Sequence, residues 1–167
     1  PCFNRKEFAF MKWPDFNNKL WETIKTNCLR SKKEPGFSFF LNDSNPEAIQ
    51  MAKKNIKNLG LQENKYLFSN MPLKDYLPNT KNAFMIFNPP YGERMRVEDM
   101  ISFYSEIGDT LKKRFTGFEA WIITGNIKAS KHFGLKPSKK IILFNGPIEC
   151  RFIQFKLYKG SKKSRYK

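Results

Sequence analysis

Ala83-Phe84-Met85-Ile86-Phe87 is an unbroken apolar run, and it stops against Asn88-Pro89-Pro90-Tyr91. A short apolar run bounded by such a breaker reads as a strand buried in a sheet. Pro89 and Pro90 lack N–H donors and fix their φ angles, so the strand has to end there. Asn88, preceding a proline, is held in an extended conformation. The sequence therefore builds a stiff elbow at the carboxyl end of a strand, presenting one amide, bare backbone carbonyls and one aromatic face. The Asn88 side-chain oxygen and the Pro89 carbonyl can accept both hydrogens of an exocyclic NH2, and Tyr91 can stack on the ring that carries it. Asn-Pro and Pro-Pro also punctuate ordinary loops. The apolar strand before the motif and the tyrosine after it tip the reading toward a site.

Strands and helices alternate on both sides of this motif. Leu20, Trp21, Ile24 and Cys28 recur with helical spacing, and Asp15 is the expected N-cap. Residues 37–41 read as a short buried strand. Asn45 is an N-cap with Pro46 at the first helical position and Glu47 at the positive end of the dipole. Ile49, Ala52, Ile56 and Leu59 follow on one face, and Gly60 ends that helix in the left-handed conformation. A strand over residues 65–69 precedes the motif strand. Met100, Phe103, Tyr104, Ile107 and Leu111 predict a second amphipathic helix, and residues 119–124 a buried strand. Residues 129–133 suit one helical turn. Residues 140–144 and 150–158 are strands joined at Asn145-Gly146, a strong hairpin signal. Alternating strands and helices closed by a hairpin predict an open α/β sheet.

Composition narrows the function. The 167 residues suffice for one domain with a core. No apolar run approaches the length of a membrane span, and no basic–apolar leader opens the chain. Three cysteines, Cys2, Cys28 and Cys150, have no metal-like spacing and read as free thiols in a reducing compartment. His132, the only histidine, has no metal-ligand pattern around it. The net charge of +16 points to a polyanionic partner, because Lys and Arg gain affinity by displacing phosphate counterions. The charge is mostly diffuse, concentrating only at Lys136, Lys139 and Lys140 and in the tail beyond Lys159. Residues 160–167 are expected to be a disordered basic tail.

The longer motif, Asn88-Pro89-Pro90-Tyr91-Gly92-Glu93-Arg94, resembles that of the S-adenosylmethionine-dependent methyltransferases that modify guanine N2 in 23S ribosomal RNA. Arg5 to Phe10 with Trp13 to Phe16, Asn42 to Leu61 and Gly134 to Lys159 resemble further segments of that family, so most of the chain is covered. The resemblance implies a Rossmann-like class I methyltransferase sheet, mostly parallel with one antiparallel strand near its end. It implies a partial catalytic domain over residues 1–159, with S-adenosylmethionine as cofactor, 23S ribosomal RNA as partner and a cytoplasmic location, without metal or membrane. Asn88, Pro89 and Tyr91 would carry catalysis, and Pro90, Tyr91 and Arg94 would contact substrate. Asp43 would bind the cofactor ribose, Asn70 its adenine amine, and Asn88 would border the cofactor. Asp43 can equally open the following helix through an Asx turn. Glu93 and Arg94 either shape the loop or touch RNA.

Two departures qualify the match. The family often places Gly-Ser before the ribose-binding Asp, whereas Leu41-Asn42 stand here. The family also begins its catalytic domain with a strand and a Gly-rich turn, since a Cβ would block the backbone's approach to the cofactor. None of the nine glycines here forms a Gly-x-Gly. The expectation is that this central strand and loop lie upstream, and that the 167 residues alone are unstable or aggregate. Alternative readings are an adenine-N6 DNA methyltransferase, a non-catalytic basic RNA-binding fragment and a protein-glutamine methyltransferase.

Overall fold

In the computed structural model, residues 5–90 and 96–159 are described. They fall into two compact units, Pro1–Met71 and Pro72–Lys167.

The first unit holds α1 (Asn18–Arg30), β1 (Phe39–Asn42), α2 (Pro46–Asn58) and β2 (Tyr66–Ser69), with 3-10 turns at Ala9–Lys12 and Glu63–Lys65. Helix α1 is capped by Asn17, whose Oδ1 accepts from the Leu20 amide at 2.9 Å. Asp15 is not the cap, because the Trp13–Phe16 turn, closed by the Phe16 amide on the Trp13 carbonyl, occupies the stretch before it. Helix α2 begins at Asn45 and Pro46 as expected, and Gly60 follows it at φ 59°. β1 and β2 form a two-stranded parallel ribbon, with Phe39 opposite Tyr66 and Asn42 opposite Ser69. Phe39 and Tyr66 stack with ring centroids 4.9 Å apart. Of all the residues described in this unit, only Ile49 is a buried hydrophobic.

The second unit holds β3 (Phe84–Phe87), α3 (Val97–Arg114), β4 (Glu119–Thr124), a 3-10 turn at Ala129–Phe133, β5 (Lys139–Asn145) and β6 (Ile148–Lys156). Its sheet runs β3-β4-β6-β5, with β3 parallel to β4 and the other two pairs antiparallel. The hairpin expected at Asn145-Gly146 is present, with Gly146 at φ 60°. One sheet face is covered by α3, whose Met100, Tyr104, Ile107 and Leu111 pack with Ala120, Ile122, Ile153 and Phe155. Gly108 lets the helix approach closely: a Cβ there would lie 1.7 Å from the Phe133 carbonyl oxygen. On the opposite face Trp121 packs on Phe152 at 4.6 Å, and Phe84 and Ile86 are 76% and 70% exposed.

The open α/β sheet expected from the sequence therefore appears as two sheets. Among the described residues β1 pairs only with β2 and β3 only with β4, so each keeps one free edge. Strand propensity depends on local pattern, but sheet continuity depends on a partner's backbone groups. No helix among the described residues is long and apolar enough to cross a membrane.

Candidate active site

The motif elbow sits where two parallel strands end. Phe87 lies opposite Ile122, so Asn88 is level with Ile123, one residue short of the end of β4. Met85 and Phe87 pack against the core while Phe84 and Ile86 point to the other face. Pro89 is buried, whereas Asn88 and Pro90 on either side of it are exposed. The proline ring thus pins the elbow and leaves the Asn88 amide directed outward. Among the described residues that amide has no hydrogen-bond partner. Tyr91, Gly92, Glu93 and Arg94 lie outside the described residues.

The neighbouring strand end is locked from beneath by a polar relay that sequence reasoning missed. The Tyr104 hydroxyl lies 2.5 Å from Thr124 Oγ1, both groups buried. Thr124 Oγ1 also accepts from the Asn126 amide at 3.0 Å, and Asn126 Oδ1 accepts from the Ala129 amide at 2.8 Å. A buried hydroxyl pair in an apolar core persists only when both members are satisfied. Here it ties α3, β4 and the loop after β4 into one rigid floor. The available signal was a threonine in register with the apolar Ala120 and Ile122 on one face of the strand.

In the first unit the carboxyl ends of β1 and β2 bring Asp43 and Asn70 together. Asn70 Nδ2 donates to the Asp43 carbonyl at 2.7 Å, and Asp43 Oδ1 accepts from the Asn45 amide at 2.8 Å in an Asx turn. The turn uses one carboxylate oxygen, and the other has no partner among the described residues. Both side chains are exposed. Asn42 joins them: its Nδ2 donates to the Met71 carbonyl at 2.9 Å, while its Oδ1 is buried without a partner. The contact of Asn70 with the Asp43 backbone leaves its own side-chain oxygen available as an acceptor. An exposed carboxylate oxygen and an amide oxygen at adjacent strand ends fit a ligand rich in hydroxyl and amine donors, as a nucleoside is.

A cavity of about 410 Å³ lies at the other end of the second unit's sheet, lined by Glu119, Lys136, Ser138, Lys156 and Tyr158 among others. It opens at the amino end of β4 and the carboxyl end of β6, away from Asn88. The Glu119 carboxyl there is held below its ordinary pKa, first by a hydrogen bond with Gln154, then by the Trp121 indole at 2.8 Å and the charge of Lys156. Its pull on Glu119 stabilises a strand end and places no reactive group at the elbow.

Residues 2–154 match UPF0020, described as an RMKL-like methyltransferase domain. The chain belongs to this family. A ribosomal RNA large subunit methyltransferase K/L of Shewanella frigidimarina is 31% identical over 96% of the chain, and its counterpart in Legionella pneumophila strain Corby 29% over 97%. In both cases the chain spans 23% of the relative's length. The crystal structure of SMU.472 complexed with SAH superposes with a TM-score of 0.73 at 28% identity, covering 95% of this chain and 42% of that one. The fold is therefore that of the Rossmann-like class I methyltransferases. The elbow at Asn88 follows the carboxyl end of β3 in the second unit, and the Asp43–Asn70 pair follows the carboxyl ends of β1 and β2 in the first; ligands of α/β sheets approach such strand ends.

Proposed function

We propose that this chain is the part of an S-adenosylmethionine-dependent methyltransferase that presents a guanine N2 amine of 23S ribosomal RNA for methylation. The observation that carries the proposal is the elbow itself: an exposed amide, Asn88, fixed by a buried proline at the carboxyl end of a parallel strand. The relatives named as ribosomal RNA methyltransferases and the neighbour complexed with SAH support the substrate and cofactor classes. A cytoplasmic setting follows from a ribosomal RNA substrate.

S-adenosylmethionine would supply an electrophilic methyl group on a sulfonium. Asp43 would accept hydrogen bonds from its ribose hydroxyls and Asn70 from its adenine amine. The remaining work falls to the elbow. An exocyclic amine on a purine is a poor nucleophile because its lone pair is delocalised into the ring. The Asn88 side-chain oxygen and the Pro89 carbonyl hold the amine hydrogens and favour a pyramidal nitrogen. Positive charge that develops there in the transition state meets two acceptors already in place. Tyr91 stacks on the extruded base, and Pro90 and Arg94 border the substrate. Alignment of the amine with the methyl group supplies further acceleration.

The test uses the complete gene product with purified ribosomal RNA and, in parallel, DNA. Asn88→Ala should lower methyl transfer by about 10²-fold or more, the scale of losing one transition-state acceptor, while calorimetric affinity for S-adenosylhomocysteine changes little. A well-folded Asn88→Ala protein that loses cofactor affinity but keeps turnover at saturation contradicts the catalytic role. Methylation of DNA in preference to RNA contradicts the substrate.

A further inference from the structure

We propose that the β5–β6 hairpin is an RNA-contacting arm, with Phe144 at its tip as a stacking surface for an unpaired base near the one presented at Asn88. The proposal rests on the RNA substrate proposed above and adds a surface and a residue to it.

Strand register places the arm. Phe87 pairs with Ile122, and Ile122 with Ile153, so Asn88 is level with Phe152. Pairing of β6 with β4 ends at Arg151 opposite Thr124, whereas pairing of β6 with β5 continues to Ile148 opposite Asn145. The hairpin therefore overhangs the carboxyl edge of the sheet by four residues beyond Asn88, roughly 13 Å at a strand's rise, two to three strand spacings or about 10–14 Å to one side. It projects beyond the end of the sheet at which the elbow lies, not the end of the Glu119 cavity.

The arm's surface is unlike a solvated turn. Ile142, Phe144 and Ile148 are exposed, Phe144 to 70%. Phe144 follows Ile142 on the same face, across from Arg151 and Glu149. Between Lys128 and Lys159 the chain carries eight Lys and Arg against one carboxylate, Glu149. That carboxylate is taken by an ion pair with Arg151. Lys139 and Lys140, at the base of the arm, form no ion pair among the described residues and are exposed. Exposed apolar side chains on a free-edged strand also invite a second copy of the chain. The net charge of +16 opposes that pairing and favours a polyanion. An exposed aromatic ring at the tip of an arm whose base carries unpaired cations suits single-stranded RNA, whose bases are free to stack, better than a duplex, whose bases are not.

The test is fluorescence anisotropy of a labelled single-stranded RNA 20-mer with the complete gene product. Stacking of one base contributes about 1–3 kcal/mol, so Phe144→Ala should weaken binding by roughly 5- to 150-fold, and Phe144→Trp should retain it. Replacing Lys139 and Lys140 by Ala should reduce the slope of log affinity against log salt by about 1.4, two phosphate contacts on a single strand. Wild-type affinity in Phe144→Ala, with RNA methylation by the parent protein intact, overturns the arm and leaves the proposed function standing. Unchanged RNA affinity together with a shift from dimer to monomer in sedimentation assigns the arm to a second copy instead. Failure of the parent protein to bind or methylate RNA overturns both.

Discussion

The two units of this chain carry similar amounts of regular structure and very different amounts of core. The second has a continuous cluster from Met100 to Leu157 around α3 and β4. The first has, among its described residues, one buried hydrophobic, Ile49, while Trp13, Leu20, Ile24, Leu29 and Met51 are exposed. Both nonetheless have capped helices and paired strands. Caps and periodicity decide that a segment will be helical, but most of a helix's stability comes from what its apolar face is packed against. The first unit has local order without cover, and the second has both.

That contrast can be broken most sharply at Gly108. Its absent side chain is where α3 meets the Phe133 backbone, so Gly108→Ala should cost more than about 4 kcal/mol. Thermal unfolding should show the loss, with amide exchange rising across 97–159. A variant that melts like the parent would mean the helix can move aside without harm. Next in size is a paired truncation. Leu111→Ala, in the core, should cost about 2–5 kcal/mol. Leu20→Ala, on exposed α1, should stay within about 0.5 kcal/mol. Equal costs would place hidden packing on α1. Asn45→Ala should cost about 1 kcal/mol by removing the hydrogen bond its side-chain oxygen accepts from the Glu47 amide, with an effect confined to exchange in α2.

The smallest expected effect is a pH dependence at Glu119. Its folded pKa is depressed, so its bonds contribute stability above the ordinary carboxylate range, and this is lost as pH falls through the depressed value. Glu119→Gln should flatten that part of the stability–pH curve on the acid side. Parallel curves for the two proteins would show that Gln154 and Trp121 add nothing.

Legibility in the sequence followed the same division. β4 and the final hairpin were readable because a short apolar run and Asn145-Gly146 act within a few residues. Helix α2 was readable because its start and stop signals are adjacent to it. The N-cap of α1 was misread by two residues, since Asp15 and Asn17 are both capping types and only the Trp13 turn chooses between them. The break between two sheets was legible only through the family resemblance, which implies a central strand that these residues lack; no local pattern marks it, because a free edge is a property of what lies beside a strand. Nor was the Tyr104–Thr124 pair, whose members are twenty residues apart and look individually like ordinary helix and strand positions. Of the candidate site, the elbow at Asn88 was readable from the order of residues, an apolar strand stopped by two prolines. The Asp43–Asn70 contact needed the parallel register of β1 and β2, and Asn42's role emerged only with it.

Pro89 and Pro90 have one further consequence. A rim whose two central residues have fixed φ, one of them buried, has little freedom left to lose when a base arrives. The ordering cost falls at folding, before any substrate is present. Such a rim acts as a template and not as a glove: it does not reshape itself around what it meets. Selectivity at the amine should then be set by the fit of a flat ring against a fixed outline, and a substrate of the wrong breadth would be refused rather than accommodated.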